Sequence, residues 1–133
     1  MSKRPALVLA LAGAALIGCG SDDDSNDSKF KGDKADVAAV IDKLGDSARD
    51  GDGDTICNDL FTSNLRISIR RASHQSCPDE VTEKIVDKDT EYEIQDLSLV
   101  GERATARVKD QKDRKSELLL ERAGGTWRIA RIG

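Results

Sequence analysis

Aromatic side chains are nearly missing from this chain: one Trp, one Tyr and two Phe in 133 residues. The core must therefore be built from small aliphatics around Trp127 and Tyr92, and a cavity in it would be poorly equipped to stack a flat substrate. No basic run interleaves with aromatics, and the net charge is -4, so nucleic-acid binding is not expected. The single histidine, His74, lies in a polar stretch with no Ser or Cys nucleophile arranged around it, which points to a surface position. No CxxC pair and no second ligand pair is present for zinc. The longest apolar run, Ala6 to Ile17, covers about 12 residues, against the roughly 20 that a membrane-spanning helix needs. No internal repeat is visible, and the length leaves room for one domain.

What is present begins with that apolar run. Lys3 and Arg4 precede it, and Leu16, Ile17, Gly18 and Cys19 close it. A charged start, a short apolar region and a small residue before a cysteine resemble the signal peptide and lipobox of bacterial lipoproteins. The resemblance implies that a diacylglyceryl group is placed on the Cys19 thiol, that signal peptidase II cuts before it, and that Cys19 becomes the N-terminus. The protein would then be exported and held to the cell membrane by lipid, facing outside the cytoplasm. Losing Lys3 and Arg4 with the leader takes the net charge from -4 to -6.

From Gly20 to Asp33 the composition turns to Ser, Asp, Asn, Gly and Lys, with Asp22, Asp23 and Asp24 in a row. Such a stretch buries nothing and is expected to be a disordered tether, with a reach on the order of 20 Å. Its charge would repel an anionic bilayer and keep the domain upright. The expected organisation is a signal peptide over 1–18, a tether over 19–33 and one folded domain over 34–133. With Cys19 lipidated, Cys57 and Cys77 remain as a pair, and a structural disulfide suits the oxidising compartment outside the cytoplasm.

In the domain, Val37, Val40, Ile41, Leu44 and Ala48 recur on one helical stripe, with Asp33 or Asp36 as the expected cap. Asp50, Asp52 and Asp54 have the one, three, five spacing of a calcium loop, but Thr55 and Phe61 stand where Gly and a bidentate Glu belong. A Gly-rich turn whose last Asp caps the next helix is expected instead. Leu65, Ile67 and Ile69 alternate like a strand, while Leu65, Ser68, Ile69 and Ala72 recur like a helix; Ser63 as a cap favours the helix. Ser76 or Cys77 caps a third helix, with Pro78 in its first turn and Val81, Ile85 and Val86 on its buried side.

After Glu91 the period becomes two. Tyr92 and Ile94 alternate in one phase, Leu97 and Leu99 in the other, which demands a bulge near Gln95 and Asp96 or an acid pointing inward. Ala104, Ala106 and Val108, then Leu118 and Leu120, then Trp127 and Ile129 form successive inner rows. Arg103, Arg107, Lys109 and Arg128 share the outer face with Glu117 and Glu121, a charged surface that argues against a greasy dimer interface and for a monomer. Helices followed by four consecutive strands indicate an α+β fold with helices on one face of a curved antiparallel sheet.

An amphipathic first helix, a Gly-Asp turn, Cys57 in the second helix, Cys77 before the third and the terminal run Gly125, Thr126, Trp127, Arg128, Ile129 resemble small nuclear-transport-factor-2-like domains of secreted bacterial proteins. The resemblance covers about Lys34 to Gly133 and implies a cone, with helices packed into a bent sheet and a pocket between them. Enzymes of that superfamily, such as ketosteroid isomerase and polyketide cyclases, carry Asp, Tyr or His acids and bases inside the cone, and none of their catalytic motifs matches here by position. Asp96 and Tyr92 are the weak candidates for proton transfer, should both point inward. The expectation is a non-enzymatic module binding an unspecified small molecule or protein, with no metal and no cofactor. Its alternatives are an isomerase or dehydratase using Asp96 and Tyr92, and a purely structural envelope protein.

Overall fold

A computed structural model describes residues 29–133; Cys19, the apolar run before it and the acidic run Asp22 to Asp24 lie outside the described residues. Helix α1, Asp33–Asp50, buries Val37, Ala38, Ile41, Leu44 and Ala48, the stripe that the helical period marks out. Neither Asp33 nor Asp36 caps it. The N-cap is Gly32, and Asp33 is drawn into an ion pair with Arg122 at 3.1 Å. Phe30, expected in the tether, packs half-buried against the core.

Helix α2, Gly53–Thr55, runs on as a π-helical turn, Ile56–Leu60. Its cap is Asp52 rather than the expected Asp54: Oδ1 accepts from Thr55 N at 3.1 Å and Oδ2 from Thr55 Oγ1 at 2.6 Å. Helix α3, Ser63–Ser73, is capped one residue before the expected Ser63, by Thr62, whose hydroxyl accepts from Leu65 N at 3.2 Å. Helix α4, Cys77–Glu80, also continues as a π-helical turn, Val81–Ile85. Ser76 caps it, with Pro78 in the first turn, and its hydroxyl donates back to Asp79 Oδ2 at 2.7 Å.

Four antiparallel strands follow in sheet order: β1 Glu93–Val100, β2 Arg103–Lys109, β3 Lys115–Ala123 and β4 Thr126–Ile132. The sheet is open, not closed into a barrel. Consecutive hairpins explain the order, and Gly124 and Gly125, at φ 60 and 79, supply the two left-handed residues that a tight β3–β4 turn asks for. The fold class is α+β, with four helices and a four-stranded antiparallel sheet.

The change of phase in β1 has a physical cause. The register slips between Ile94 and Asp96, so Gln95 is the extra residue of a bulge, and Ile94 and Leu97 both face inward. A second bulge sets Leu119 opposite Arg131 and Leu120 opposite Ile129. Bulges bend strands and sharpen their twist. Ala104, Ala106, Val108, Leu118, Leu120 and Ile129 form the inner face, each at most 1% exposed, and they meet Phe61, Ile41, Leu44 and Ile56 in one cluster.

Two contacts fasten the helical layer. The sulfurs of Cys57 and Cys77 are at bonding distance, with Cα atoms 6.1 Å apart, tying the first π-helical turn to the start of α4. Phe61 bridges Ile129 in parallel, and Thr62 N donates to Ile129 O at 2.9 Å. That segment meets the free edge of β4 at Ile129, where a backbone group would otherwise stand unpaired.

Candidate functional site

The residues singled out from sequence do not converge. Asp96 is exposed; the bulge turns it outward, opposite Arg107 on β2. It borders a shallow hollow on the outer sheet face together with Lys115, Ser116 and Glu117. Tyr92 precedes β1, is half-buried, and lines a different hollow. An Asp96 and Tyr92 pair inside a cone is thereby overturned: a residue inserted between Ile94 and Asp96 reverses the direction of every side chain after it. His74 ends α3 in the left-handed conformation, φ 60, and is exposed. Asp52 spends both carboxylate oxygens on Thr55. Among the described residues no group of three His, Cys, Asp or Glu is placed to hold a metal ion.

The hollow at Tyr92 is a cleft of about 580 Å³ at the rim of the fold, within the usual range for small-molecule sites. One wall is the end of the second π-helical turn, with Thr82, Ile85 and Val86. The other is the β2–β3 connection and the start of β3, with Asp110, Arg114 and Ser116. Hydrogen bonds order each wall. Asp87 N donates to Thr90 Oγ1 and Thr90 N to Asp87 O, both at 2.9 Å. Thr90 is buried against α1, where a Cβ on Gly45 would lie 3.4 Å from its carbonyl. Asp110 organises the opposite loop by accepting from Lys112 N at 2.8 Å, Arg114 N at 2.9 Å and Arg114 Nε at 2.6 Å. Lys112 Nζ reaches Asp87 at 3.2 Å, and Gln111 Nε2 donates to Glu91 at 2.8 Å, so the loop is tied across the cleft's end.

The electrostatics of the cleft follow from these bonds. Burial raises the Tyr92 phenol, and the Asp110 charge raises it further. Partial burial pushes the Asp110 carboxyl up, but hydrogen bonds from Arg114 and Lys112 outweigh it and hold the group below the ordinary range. Asp87 is lowered chiefly by its hydrogen bond from Lys112. Tyrosine and carboxyl are thus driven away from neutrality in opposite directions. General acid–base work near pH 7 asks for the reverse, groups brought toward the working pH. What the walls offer is recognition: a neutral phenol, fixed carboxylates, and the cations of Lys84, Lys88 and Lys115 along the rim.

On the outer sheet face, Arg107 stands opposite Glu117, and Glu121 lies between Arg103 and Arg128. Arg128, expected to be part of that solvated face, instead donates to Asn58 O at 2.7 Å, at the carbonyl end of the first π-helical turn, where a cation is favourable. Arg122 was not legible as a key residue. It forks onto Glu102 at 2.8 and 3.0 Å, pairs with Asp33, and stacks 5.2 Å from the Trp127 ring centre. The one available signal was its position directly across the hairpin from Trp127. No family model, no curated protein and no solved structure matches the chain.

Proposed function

We propose that this protein is a lipid-anchored, extracytoplasmic binding module, held to the membrane through Cys19, with the Tyr92 cleft as its recognition surface. The domain would be a small nuclear-transport-factor-2-like cone whose interior is filled by side chains. One observation carries the binding reading: the inner rows of the sheet and the apolar stripe of α1 are buried against one another, while the large hollow opens at the rim between polar walls. A filled interior disfavours enclosed acid–base chemistry, and a cleft with braced walls favours recognition over a purely structural role. The lipid anchor rests on Leu16 to Cys19, and the disulfide-distance pair Cys57 and Cys77 fits an exported protein.

The test has two arms. The N-terminal peptide of protein taken from its native membrane should begin at Cys19 and carry a diacylglyceryl mass, and Cys19→Ser should move the chain to the soluble fraction. A cleaved but unlipidated protein retained on the membrane would refute the anchor. For the cleft, native mass spectrometry should find a copurifying molecule on the wild-type chain that is lost in Thr82→Trp, which plugs the cleft from its wall. Equal occupancy in the two would place recognition elsewhere.

A further inference from the structure

Between Asp59 and Asp79 the chain has no acidic residue, although it carries 25 Asp and Glu in all. That interval contains Arg66, Arg70, Arg71 and His74, and most of it is α3. At 3.6 residues per turn, Arg66, Arg70, Ile67 and Arg71 fall within an arc of about 140°; Ile67 and Arg71 point away from buried Ile69, and Arg66 marks the edge of the arc nearest to it. Arg70 and Arg71 are exposed, and Ile67 is 40% exposed. Arg66 is held by neutral partners only, Asn58 Oδ1 and Ser63 Oγ, both at 3.0 Å, and its Nε is buried with no hydrogen-bond partner. Among the described residues none of the three guanidiniums is in an ion pair; Arg103, Arg107 and Arg128 are in none either, but each of those stands opposite a glutamate across the sheet, while no acidic residue lies in the α3 interval. Arg66, Ile67 and Arg70 line a groove of about 310 Å³ beside the disulfide, with Ser63, Asn58 and Ser76 as further polar walls.

We propose that this face of α3 docks on the phosphate head groups of an anionic phospholipid bilayer. Uncompensated arginines supply the forked donors that phosphate oxygens take up. Ile67 decides between a bilayer and a free anion. An exposed isoleucine within an arginine arc does nothing for a soluble phosphate, but it enters the boundary between head groups and acyl chains, as the apolar face of an interfacial helix does. Elsewhere on the domain cations and carboxylates are interspersed, as where Arg107 stands opposite Glu117 and Arg103 opposite Glu121, so an anionic surface attracts the unmixed arginine arc of α3 most. The proposal rests on the extracytoplasmic reading only for bringing a bilayer within reach.

The experiment uses the full chain with Cys19→Ser, so that no lipid anchor contributes. It is sedimented with vesicles of phosphatidylglycerol and phosphatidylcholine in equal parts, and with phosphatidylcholine alone, below about 0.1 M salt. Retention on the anionic vesicles should exceed that on the neutral ones. Arg70→Gln with Arg71→Gln should remove the excess, a loss on the order of tenfold, while Arg70→Lys with Arg71→Lys keeps it. Ile67→Ser should weaken retention with the charges intact. Circular dichroism shows that each variant is folded. Equal retention of the Gln pair and the wild type overturns the proposal. So does inorganic phosphate alone shifting the α3 amide resonances as far as vesicles do while Ile67→Ser has no effect, which would make the groove a free-anion site. Failure of this test leaves the mass of Cys19 untouched, and an unlipidated Cys19 leaves the vesicle result standing.

Discussion

Gly53 opens α2 where it crosses the start of α4, and its missing side chain is what permits the approach. A Cβ there would lie 2.7 Å from Pro78 O and 2.9 Å from Pro78 Cα, backbone atoms that cannot swing aside. Gly53→Ala should destabilise by about 1–3 kcal/mol through overpacking, measured by urea unfolding. Gly51, at φ 67 with nothing within 4 Å, is glycine for its conformation alone, so Gly51→Asn should be nearly neutral. Equal losses at the two positions would mean that the contact with Pro78 is not what selects glycine at 53. Carboxylates set the response to acid. Asp52 is lowered by its Thr55 hydrogen bonds, Glu102 by Arg122 and Asp87 by Lys112, and Asp110 by bonds that outweigh its burial. A carboxyl depressed on folding stabilises the native state above its unfolded value, about 4, and that contribution disappears as pH falls through the lower, folded value. The thermal midpoint should therefore hold between about pH 7 and 5 and fall below about pH 4. Asp110→Asn should melt earlier at neutral pH and lose less on acidification. A midpoint unchanged at low pH would remove these carboxylates from the account.

At the scale of elements, α2 and α4 are built alike. Each is a short helical turn opened by a side-chain cap, Asp52 or Ser76. Each relaxes into a π-helical turn closed by a bond from residue i+5, Phe61 N to Ile56 O at 3.0 Å and Val86 N to Val81 O at 2.9 Å. The wider turn delivers Phe61 and Val86 in extended conformation, so that Phe61 can pair with β4. Helical periodicity marked these apolar faces, and the cysteine pair was legible from the thiol count. The π geometry was not, because a single turn with one widened bond leaves the apolar pattern almost unchanged. The caps of α2, α3 and α4 were legible to within two residues, since Ser, Thr and Asp crowd those helix starts and only the backbone conformation chooses among them; that of α1 was not, because Gly32 caps without a side-chain bond. Thr62→Ala should cost about 1 kcal/mol in thermal or urea unfolding, and Ser63→Ala, at an exposed first-turn position, much less. The opposite order would return the cap to Ser63.

The whole molecule turns on whether helices and sheet enclose a space or fill it. The α+β class followed from the change of period at Glu91, and the choice between a bulge and an inward acid from the change of phase between Ile94 and Leu97, because a strand buries every second side chain; the register decides for the bulge. The rim cleft was not readable. Its walls come from the second π-helical turn and the β2–β3 connection, whose residues are mostly polar, far apart in sequence and bound to each other where Lys112 and Arg114 reach Asp87. The interior can be probed from β2, where Ala104 and Ala106 sit at most 1% exposed on the inner face, opposite Leu120 and Leu118. Small residues at the centre of a sheet have two physical meanings. They leave room for a ligand, or they leave room for large neighbours. Leu118, Leu120, Ile41, Leu44 and Phe61 are all buried in the same cluster, which favours the second meaning: the alanines leave room for these large side chains. Ala106→Leu should then destabilise by about 1–3 kcal/mol as the added methylenes find no void, whereas a ligand-sized cavity would accept leucine with little change or a gain. Urea unfolding of Ala106→Leu beside Ala106→Gly separates the two: a loss in both is the signature of a filled interior, and a stabilised leucine variant would move the proposed binding site from the rim to the centre of the fold.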